Sequence, residues 1–233
     1  MPVDEGLTAD RMTRSTETTH ERVYQELRRQ ILTGEFLPGR PVTLRGLAAG
    51  LDVSPMPVRE AVRQLIAARA LVMHDNRRVS IPAMTVEKFD EILFARRTLE
   101  PELAARALPN FDKRTLQLLA AIDDDIDEAM RNGDVEAYMR GNYAFHFSIY
   151  RLANAPTILG LVESIWLQFG PFMRVVYGQF GTAKLEDQHQ RALDAIRQND
   201  EATLKLAISE DIMQGMRFIG EAALDKQHRD TTG

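Results

Sequence analysis

The stretch that decides the fold is "LDVSPMPVREAVRQL", residues 51–65. It begins like a helix, yet prolines stand at positions 55 and 57. Because the first four N–H groups of a helix have no acceptor inside it, proline costs little at those positions. With Ser54 as the N-cap, Pro55 is the first helical residue and Pro57 the third. We predict a helix that begins at Pro55, with the Ser54 hydroxyl accepting a hydrogen bond from a free backbone N–H.

A tight turn and a shorter helix precede this one. Thr43 can cap the shorter helix, and Asp52 can adopt left-handed geometry in the turn. Helix, tight turn and helix form the unit that presents a helix end to the major groove of DNA. The candidates for DNA contact face outward from the first half of the second helix and are Ser54, Met56, Arg59 and Arg63.

Two further elements complete this unit. Apolar residues recur at helical spacing over 23–32, and glycine and proline then break the pattern in a loop over 33–42. Short β-prone runs on either side of residues 75–76 predict a hairpin with Arg77 and Arg78 at its tip. Together the elements predict a winged helix-turn-helix. A helical hairpin with solvated arginines would be preferred only if the proline-bearing stretch stood alone.

Charge divides the chain into two parts. Residues 20–85 contain ten Arg, no Lys and six acids, whereas residues 86–233 contain 17 Lys and Arg against 24 Asp and Glu. A basic N-terminal third joined to an acidic remainder indicates two domains with different partners. Arginine without lysine suits planar, bidentate contacts to phosphate or guanine.

From Thr85 onward the sequence predicts helices almost to its end, at 86–108, 112–131, 134–153, 155–178, 182–198 and 200–224. The expected fold class is mostly α, with an N-terminal winged helix-turn-helix and a C-terminal all-α helical bundle. The predicted division is a mobile tail over 1–19, the winged domain over 20–84, the helical domain over 85–226 and a tail over 227–233.

The composition excludes several classes of protein. Because the 233 residues include no cysteine, there is no disulfide framework and no thiolate chemistry. No apolar run approaches the roughly 18 residues of a membrane span, and the N-terminal residues lack the apolar centre of a signal peptide. We expect a cytoplasmic protein with no membrane partner.

Five polar residues interrupt the apolar faces of four predicted helices, and they are Arg96, Asn142, His146, His189 and Asp211. Asn142 and His146 are four residues apart and are therefore neighbours on one face. A buried charge without a counter-charge or a metal is costly. We therefore expect the five side chains to converge on one central cavity.

These residue types allow two interpretations. Two His, one Asp and one Asn supply the N and O ligands that suit a divalent transition metal. Alternatively, each is a hydrogen-bonded core residue. Arg96 either pairs with Asp211 or another acid, or receives the carboxylate of a ligand in a bidentate fork.

Two other patterns lie in the helical part. An aromatic and Met stripe consists of Trp166, Phe169, Phe172, Met173 and Tyr177, for which core packing is favoured and a pocket wall is the alternative. The acidic run "DDDID" at 123–127 is expected to be a solvated helix face.

Residues 21–84 resemble the DNA-binding domain of GntR-type bacterial transcription regulators. The shared motifs are a "G-x-x-x-PG" loop, an "LA…V-S-x-x-PVREA-x-x-L" core and an "N-R" wing. The resemblance implies that operator DNA is contacted by the wing tip, Arg45, Ser54 and Arg59. Pro55 replaces the Arg usual after "VS", which removes one expected contact. Arg78 replaces the usual wing Gly, which adds a phosphate contact or alters the reach of the wing.

Residues 86–224 resemble the FCD effector domain of the FadR-type branch of that family. The matching segments are "ARRTLEPELAARAL", "NYAFHFSIYRLANAP" and "HQRALDAI…ND". The resemblance implies a metal site of one Asp and three His, which by position become Asn142, His146, His189 and Asp211. Asp for His exchanges one good ligand for another, whereas Asn for Asp removes a charge. The implied cofactor is a divalent transition metal such as Zn, Ni or Mn.

The resemblance implies a ligand-responsive transcription regulator, most often a repressor, so no catalytic residue is assigned. Two winged domains of a homodimer would bind adjacent half-sites of a near-palindromic operator in double-stranded DNA. A small organic acid would bind the helical domain at the metal or at an inward Arg. The candidates for effector contact are Arg96, Trp166 and Tyr177.

Two other functions are alternatives. A small metal-dependent hydrolase or isomerase would use His146, His189 and Asp211, but no motif such as H-E-x-x-H supplies a general base beside them. An enzyme would also leave the N-terminal third unexplained. An architectural DNA binder would use the helical domain only to dimerise, and the inward polar residues would then have no role.

Overall fold

The computed structural model describes residues 18–180 and 187–230, and the side-chain surroundings of 18–174 and 187–217. The described chain is mostly helical, as predicted. Its elements are α1 Thr19–Leu32, β1 Val42–Thr43, α2 Leu44–Gly50, α3 Pro55–Ala67, β2 Val72–Met73, β3 Arg78–Ser80, α4 Val86–Ala107, a 3₁₀ turn Leu108–Asn110, α5 Lys113–Asn132, α6 Val135–Arg151, α7 Pro156–Phe180, α8 Gln188–Gln198 and α9 Glu201–Asp230. No helix in the described ranges has the length and apolarity needed to cross a membrane.

The N-terminal domain packs three helices against a small sheet. α3 lies on α1, and Val58, Val62 and Leu65 on its inner face have no exposed surface. Burial of each such side chain stabilises the fold by about 1.5–3 kcal/mol. The three strands are antiparallel in the order β1-β3-β2, and Val79 of the central strand is fully buried. This arrangement is the predicted winged helix-turn-helix.

Three local predictions in this domain are confirmed. α3 begins at Pro55, and Asp52 in the turn before it has a left-handed φ of +50°. Thr43 caps α2, because its hydroxyl accepts a hydrogen bond from the Gly46 N–H at 3.0 Å. The Thr43 cap and the start at Pro55 follow from the unpaired N–H groups of a helix's first turn, and the left-handed Asp52 follows from the tight turn between the two helices.

Strand β1 was not expected, since the glycine and proline residues of 33–42 predict a loop. Val42 pairs with Val79, and Thr43 pairs with Arg78, which makes β1 one edge of the sheet. A strand of two residues shows no alternation that a sequence pattern can detect. Its partner also lies far along the chain, so only the folded domain brings the two together.

The C-terminal domain is a bundle of the helices α4 to α9. α4 packs against α9, α5 against α6, and α8 against both α5 and α9. The observed bounds of α4 to α7 agree with the predicted ones to within two residues at each end. α9 runs to Asp230, past its predicted end at 224 and into the segment predicted as a tail, because residues 221–230 contain neither Gly nor Pro. The predicted start of α8 at 182, like residues 1–17 of the predicted N-terminal tail, lies outside the described residues.

The two domains meet where α1 lies beside α6 and α7. Arg28 of α1 forms an ion pair with Glu163 of α7, with Nη2 2.9 Å from Oε1. The same Arg28 nitrogen donates to the hydroxyl of Tyr143 on α6 at 3.3 Å. Behind α3, the Ser164 hydroxyl donates to the Ala68 carbonyl at 3.1 Å. Polar contacts therefore connect the N-terminal domain to two helices of the bundle.

A second contact between the domains involves the loop that follows α1. Arg174 of α7 donates from Nη1 to the carbonyl of Thr33 at 3.1 Å. The next residue, Gly34, has a φ of +70°, and a Cβ added there would lie 2.6 Å from the Cβ of Arg174. Glycine is therefore required at this point both for its backbone conformation and for the close approach.

Candidate nucleic-acid interface and metal centre

All the side chains assigned to DNA contact are exposed. They lie on α2, on α3 and in the hairpin, and are Arg45, Ser54, Met56, Arg59, Arg63, Arg77 and Arg78. A side chain packed in the domain core cannot reach a duplex, so exposure is the first condition that this interface must meet. The structure satisfies that condition at every assigned position.

The two arginines of α3 differ in their surroundings. Arg63 forms a bidentate ion pair with Glu60, one turn before it, through its Nε and Nη2 atoms. Arg59 makes no ion pair with any described residue. Its guanidinium can therefore offer its full fork of donors to a guanine or a phosphate. Arg59 is the better-placed of the two for reading a base.

The predicted capping bond of Ser54 is wrong. Ser54 is the N-cap residue by its backbone, but its hydroxyl makes no capping hydrogen bond. The usual partner of an N-cap is the N–H of the third helical residue, and here that residue is Pro57, which has no N–H. The proline that suits the start of the helix thus leaves the Ser54 hydroxyl free to meet a phosphate.

The hairpin places its two arginines differently. Arg77 lies in the turn with a φ of +60°, and its N–H donates to the His74 carbonyl at 2.9 Å. Arg78 is the first residue of β3 and not the tip, and its N–H donates to Asn76 Oδ1 at 3.1 Å. Left-handed backbone conformations are uncommon for residues other than Gly, so Arg77 adopts a conformation that is unfavourable for an arginine. Both side chains still project from the wing.

Three of the four predicted metal ligands converge. His146 on α6, His189 on α8 and Asp211 on α9 each offer an atom, and these atoms lie within 4.8 Å of one another. His146 Nε2 is 3.1 Å from Asp211 Oδ2, and His189 Nε2 is 3.7 Å from Asp211 Oδ1. The Asp211 carboxylate therefore lies close enough to both imidazoles for one metal ion to bind all three side chains.

The fourth predicted ligand is Asn142. It is buried, with 4% of its surface exposed, and precedes His146 by four residues on α6. Residues at this spacing lie on one side of a helix, so Asn142 is adjacent to His146. The sequence prediction of a shared inward face for these two residues agrees with their burial.

The two imidazoles fit a metal ion because one nitrogen of each ring is buried without a hydrogen-bond partner among the described residues. Neither His146 Nε2 nor His189 Nε2 has a hydrogen-bond partner among the described residues, although both atoms are buried. His146 Nε2 lies at ion-pair distance from the Asp211 carboxylate, which is itself a candidate ligand of the same ion. Buried polar atoms without partners need an explanation such as an ion. Two Nε2 atoms and a carboxylate are N and O ligands that a divalent transition metal accepts.

Charge in the cluster also suits a cation. Burial alone would raise the pKa of Asp211, but the contact with His146 and the charges of His146, His189 and Arg96 lower that pKa to about 2. Burial alone would lower the pKa of His189, but its hydrogen bond to Asp123 and the charges of Asp211 and Asp123 raise it. Asp211 is thus an ionised carboxylate that draws positive charge towards itself. A metal ion competes with protons for such a site.

Asp123 supports the cluster, and the expectation of a solvated face at 123–127 is wrong at this residue. Asp123 has only 8% of its surface exposed, and its Oδ1 lies 2.9 Å from His189 Nδ1. A detectable signal existed, because Leu119, Asp123 and Ile126 follow helical spacing and all three are buried. Because Asp123 is followed by two further Asp residues, the run looks uniformly solvent-exposed and the helical spacing of Asp123 is easily overlooked.

Arg96 has an acid partner within its own helix. Its Nε and Nη2 donate to Glu100 at 2.5 Å and 3.2 Å, and both residues are buried. This is the pairing with an acid other than Asp211 that the sequence left open. The hydroxyl of Tyr150 donates to Glu100 Oε2 at 2.8 Å and lies 3.1 Å from His146 Nδ1. Glu100 and Tyr150 were missed, although Glu100 follows Arg96 at the spacing of a helical ion pair.

One aromatic candidate for effector contact, Trp166, lies beside this chain of residues. Trp166 is buried, its ring centroid is 5.3 Å from that of His146, and its Nε1 has no hydrogen-bond partner among the described residues. The Arg96 guanidinium lies 4.9 Å from the Trp166 ring. The side chain of Tyr177 lies outside the described residues.

Comparison with family models gives one result for each domain. The model described as "FCD domain" matches residues 91–213, and the model described as "Bacterial regulatory proteins, gntR family" matches residues 19–81. The boundary between the two matches coincides with the junction between the winged domain and the helical bundle.

Similar proteins cover most of the chain. The HTH-type transcriptional regulator McbR of Escherichia coli K12 is 26% identical over 201 residues, which is 85% of this chain and 91% of the relative. The solved structure of E. coli McbR/YncC superposes with a TM-score of 0.82 at 25% identity and covers 88% of this chain and 98% of that one. A probable D-xylose utilization operon transcriptional repressor of Paenarthrobacter nicotinovorans is 22% identical, over 88% of this chain and 89% of its own.

The FCD match spans more than half of the chain, and the family it defines consists of regulators, not enzymes. The matched relatives named above are likewise regulators. The chain therefore belongs to the GntR family of bacterial transcription regulators, in the branch that carries an FCD domain.

Proposed function

We propose that this regulator is a repressor that binds a near-palindromic operator as a homodimer in the cytoplasm and releases it when a small organic acid binds in the helical domain. The observation that carries the proposal is the cluster of His146, His189 and Asp211 on the inward faces of three helices, joined in one chain to an exposed recognition helix. Two relatives are named as repressors, one of a D-xylose utilization operon and one of a gluconate operon, which supports repression over activation.

In the proposed DNA complex, the first half of α3 enters the major groove. Arg59 contacts a base edge or phosphate, Ser54 contacts a phosphate through its free hydroxyl, and Arg77 and Arg78 carry the wing to the adjacent backbone. Arg45 contacts the backbone from α2. Because the recognition helix of one chain reads only half a site, a dimer is needed to give useful affinity.

In the proposed effector site, Asn142, His146, His189 and Asp211 hold a divalent transition metal such as Zn, Ni or Mn. When bound, the metal supplies an electrophilic site for one oxygen of an organic acid. The charge of Arg96 favours an anion near the cluster, and Trp166, which lies beside His146, forms one wall of the proposed effector site. The unpartnered Nε1 of Trp166 can donate to a second oxygen of the acid.

The proposed coupling passes through the contacts between the domains. Tyr143 accepts a hydrogen bond from Arg28 of the winged domain, and its ring lies 5.7 Å from that of Trp166. Trp166 in turn lies beside His146. An effector that binds two arrangements of these side chains unequally shifts the position of the winged domain by that difference in affinity.

The test combines metal analysis with two binding measurements on the full chain. Zinc-loaded protein is screened with small organic acids by thermal shift, and operator binding is followed by fluorescence anisotropy with DNA from upstream of its own gene. We expect a stabilising acid that also weakens operator binding. Metal-free protein that no acid stabilises, but that still binds DNA, would instead indicate an architectural DNA binder.

A further inference from the structure

Each histidine of the cluster is held by a different buried partner on the nitrogen that faces away from Asp211. His146 Nδ1 lies 3.1 Å from the Tyr150 hydroxyl, and His189 Nδ1 lies 2.9 Å from Asp123 Oδ1. Tyr150 has 1% of its surface exposed and His189 has 9%. Water therefore has little access to these bonds, and the hydrogen positions follow from the donors and acceptors present.

The first bond fixes the proton on His146 by elimination. A tyrosine hydroxyl has one proton, and Tyr150 donates it to Glu100 Oε2 at 2.8 Å. Glu100 is the ion-pair partner of Arg96, so it accepts hydrogen bonds and donates none. The oxygen of Tyr150 can then only accept a hydrogen bond from His146. His146 must therefore carry a proton on Nδ1.

The second bond fixes the proton on His189 in a simpler way. The Asp123 carboxylate is an acceptor, so His189 must donate to it from Nδ1. The ring plane is held as well, because Phe145 stacks on the His189 imidazole with centroids 4.0 Å apart and an interplanar angle of 16°. His189 is thus restrained in both rotation and tautomer.

We propose that Tyr150 and Asp123 are positioning residues, each of which holds one histidine with its proton on Nδ1, so that both Nε2 lone pairs point to one place beside Asp211. The inference rests on the proposed metal site, for which these residues are the supporting shell. Donation from the far ring nitrogen to such a partner orients a metal-binding histidine and increases its basicity.

The same geometry gives Arg96 a role in this support. Its Nε and Nη2 atoms are bonded to Glu100, and its guanidinium carbon lies 3.9 Å from the centre of the Phe169 ring. Arg96 therefore fixes Glu100, Glu100 fixes the Tyr150 proton, and Tyr150 fixes His146. Arg96 therefore acts on His146 indirectly, through Glu100 and Tyr150.

The experiment measures zinc affinity by competition with a coloured chelator. Tyr150→Phe removes the bond to His146 while keeping the ring, and Asp123→Asn replaces an obligatory acceptor with an amide. We expect each variant to bind zinc about 10–100-fold more weakly than the wild type. Tyr143→Phe is the matched control, because that hydroxyl lies on the same helix and bonds Arg28, not a histidine. Wild-type affinity in both test variants would overturn the proposal.

A second measurement keeps the inference separate from the proposed metal site. Long-range ¹H–¹⁵N spectra of the metal-free protein show which imidazole nitrogens carry protons. We expect slowly exchanging Nδ1 protons on His146 and His189, with the His146 signal lost in Tyr150→Phe and retained in Tyr143→Phe. A bare Nδ1 on either histidine of the wild type would overturn the inference. Failure of wild-type protein to bind zinc, with both Nδ1 protons present, would refute only the metal site.

Discussion

The two domains treat their polar residues in opposite ways. In the winged domain the side chains assigned to DNA contact are exposed, and Arg59 and Ser54 have neither an ion pair nor a capping bond among the described residues. In the bundle, Arg96, Glu100 and Tyr150 are buried and bonded in sequence. Of the two arginines on α3, Arg63 pairs with Glu60 and Arg59, unpaired among the described residues, stays free for a partner's acceptors, whereas the buried residues of the bundle are fixed before any ligand arrives.

Removal of a metal-binding side chain is expected to give the largest effect, and it tests whether the bundle holds a preformed site. His189→Ala removes one of the two imidazoles that face Asp211. We expect zinc affinity to fall by more than about 100-fold, because supporting residues alone are worth roughly 10–100-fold. His74→Ala is the control, since that histidine belongs to the wing and bonds Ser80. Equal zinc affinity of the two variants in a chelator competition would contradict the metal centre.

Loss of an exposed donor tests the comparison on the winged side. Arg59→Ala should weaken specific operator binding by about 1–3 kcal/mol, or roughly 5- to 150-fold, as for other base-reading arginines. The fold should be retained, because Arg59 is exposed and makes no ion pair with a described residue. Fluorescence anisotropy gives the affinity and circular dichroism the fold. Arg114→Ala, at an exposed position on the acidic bundle, should leave both unchanged.

A change at the junction tests whether the two regions communicate. Arg28→Ala removes the ion pair with Glu163 and the hydrogen bond to Tyr143. We expect the effect of the stabilising organic acid on operator affinity to shrink by about 0.5–2 kcal/mol, the usual range for residues that carry coupling. Arg140→Ala, whose one ion pair among the described residues is with Glu136 on its own helix, should leave the effect of the acid intact. An undiminished effect in Arg28→Ala would exclude this contact as the route.

The smallest effect compares two N-caps within the winged domain. Thr43→Ala removes a capping bond and should destabilise the domain by about 1 kcal/mol, whereas Ser54→Ala should cost much less, since its hydroxyl makes no such bond. Urea unfolding midpoints measure the difference. Ser54→Ala should still weaken DNA binding through the lost phosphate contact. Equal destabilisation by the two substitutions would mean that Ser54 does cap α3 in solution.

The sequence predicted the local structure of the winged domain more completely than the hydrogen-bond partners of the bundle site. The start of α3 at Pro55, the left-handed Asp52 and the cap at Thr43 depend on local backbone rules that act over a few residues. Strand β1 was missed because its only evidence is its pairing with Val79. Local rules therefore predict the helix-turn-helix but not the full sheet.

In the bundle, helical spacing predicted that His146, His189 and Asp211 face inward, and the structure brings them together. The same spacing did not identify their partners. Asp123 stands in an acidic run, and Tyr150 resembles any aromatic core residue until Glu100 is seen beside it. The bonds of Tyr150 to Glu100 and of His189 to Asp123 join helices distant in sequence. They depend on how those helices rotate against each other, and one sequence carries no record of that rotation. The position of Tyr150 one turn after His146 was, in contrast, available from helical spacing.

Gly34 constrains how the winged domain can move. The domain is joined to the bundle by chain continuity into α4, by the contacts of Arg28 and Ala68 with α6 and α7, and by the approach of the Thr33–Gly34 turn to Arg174. A swing about the covalent link must pull the turn away from that arginine, and a methyl group at position 34 would act as a permanent wedge in the same gap. Any side chain at position 34 would therefore hold the winged domain farther from α7 than glycine does.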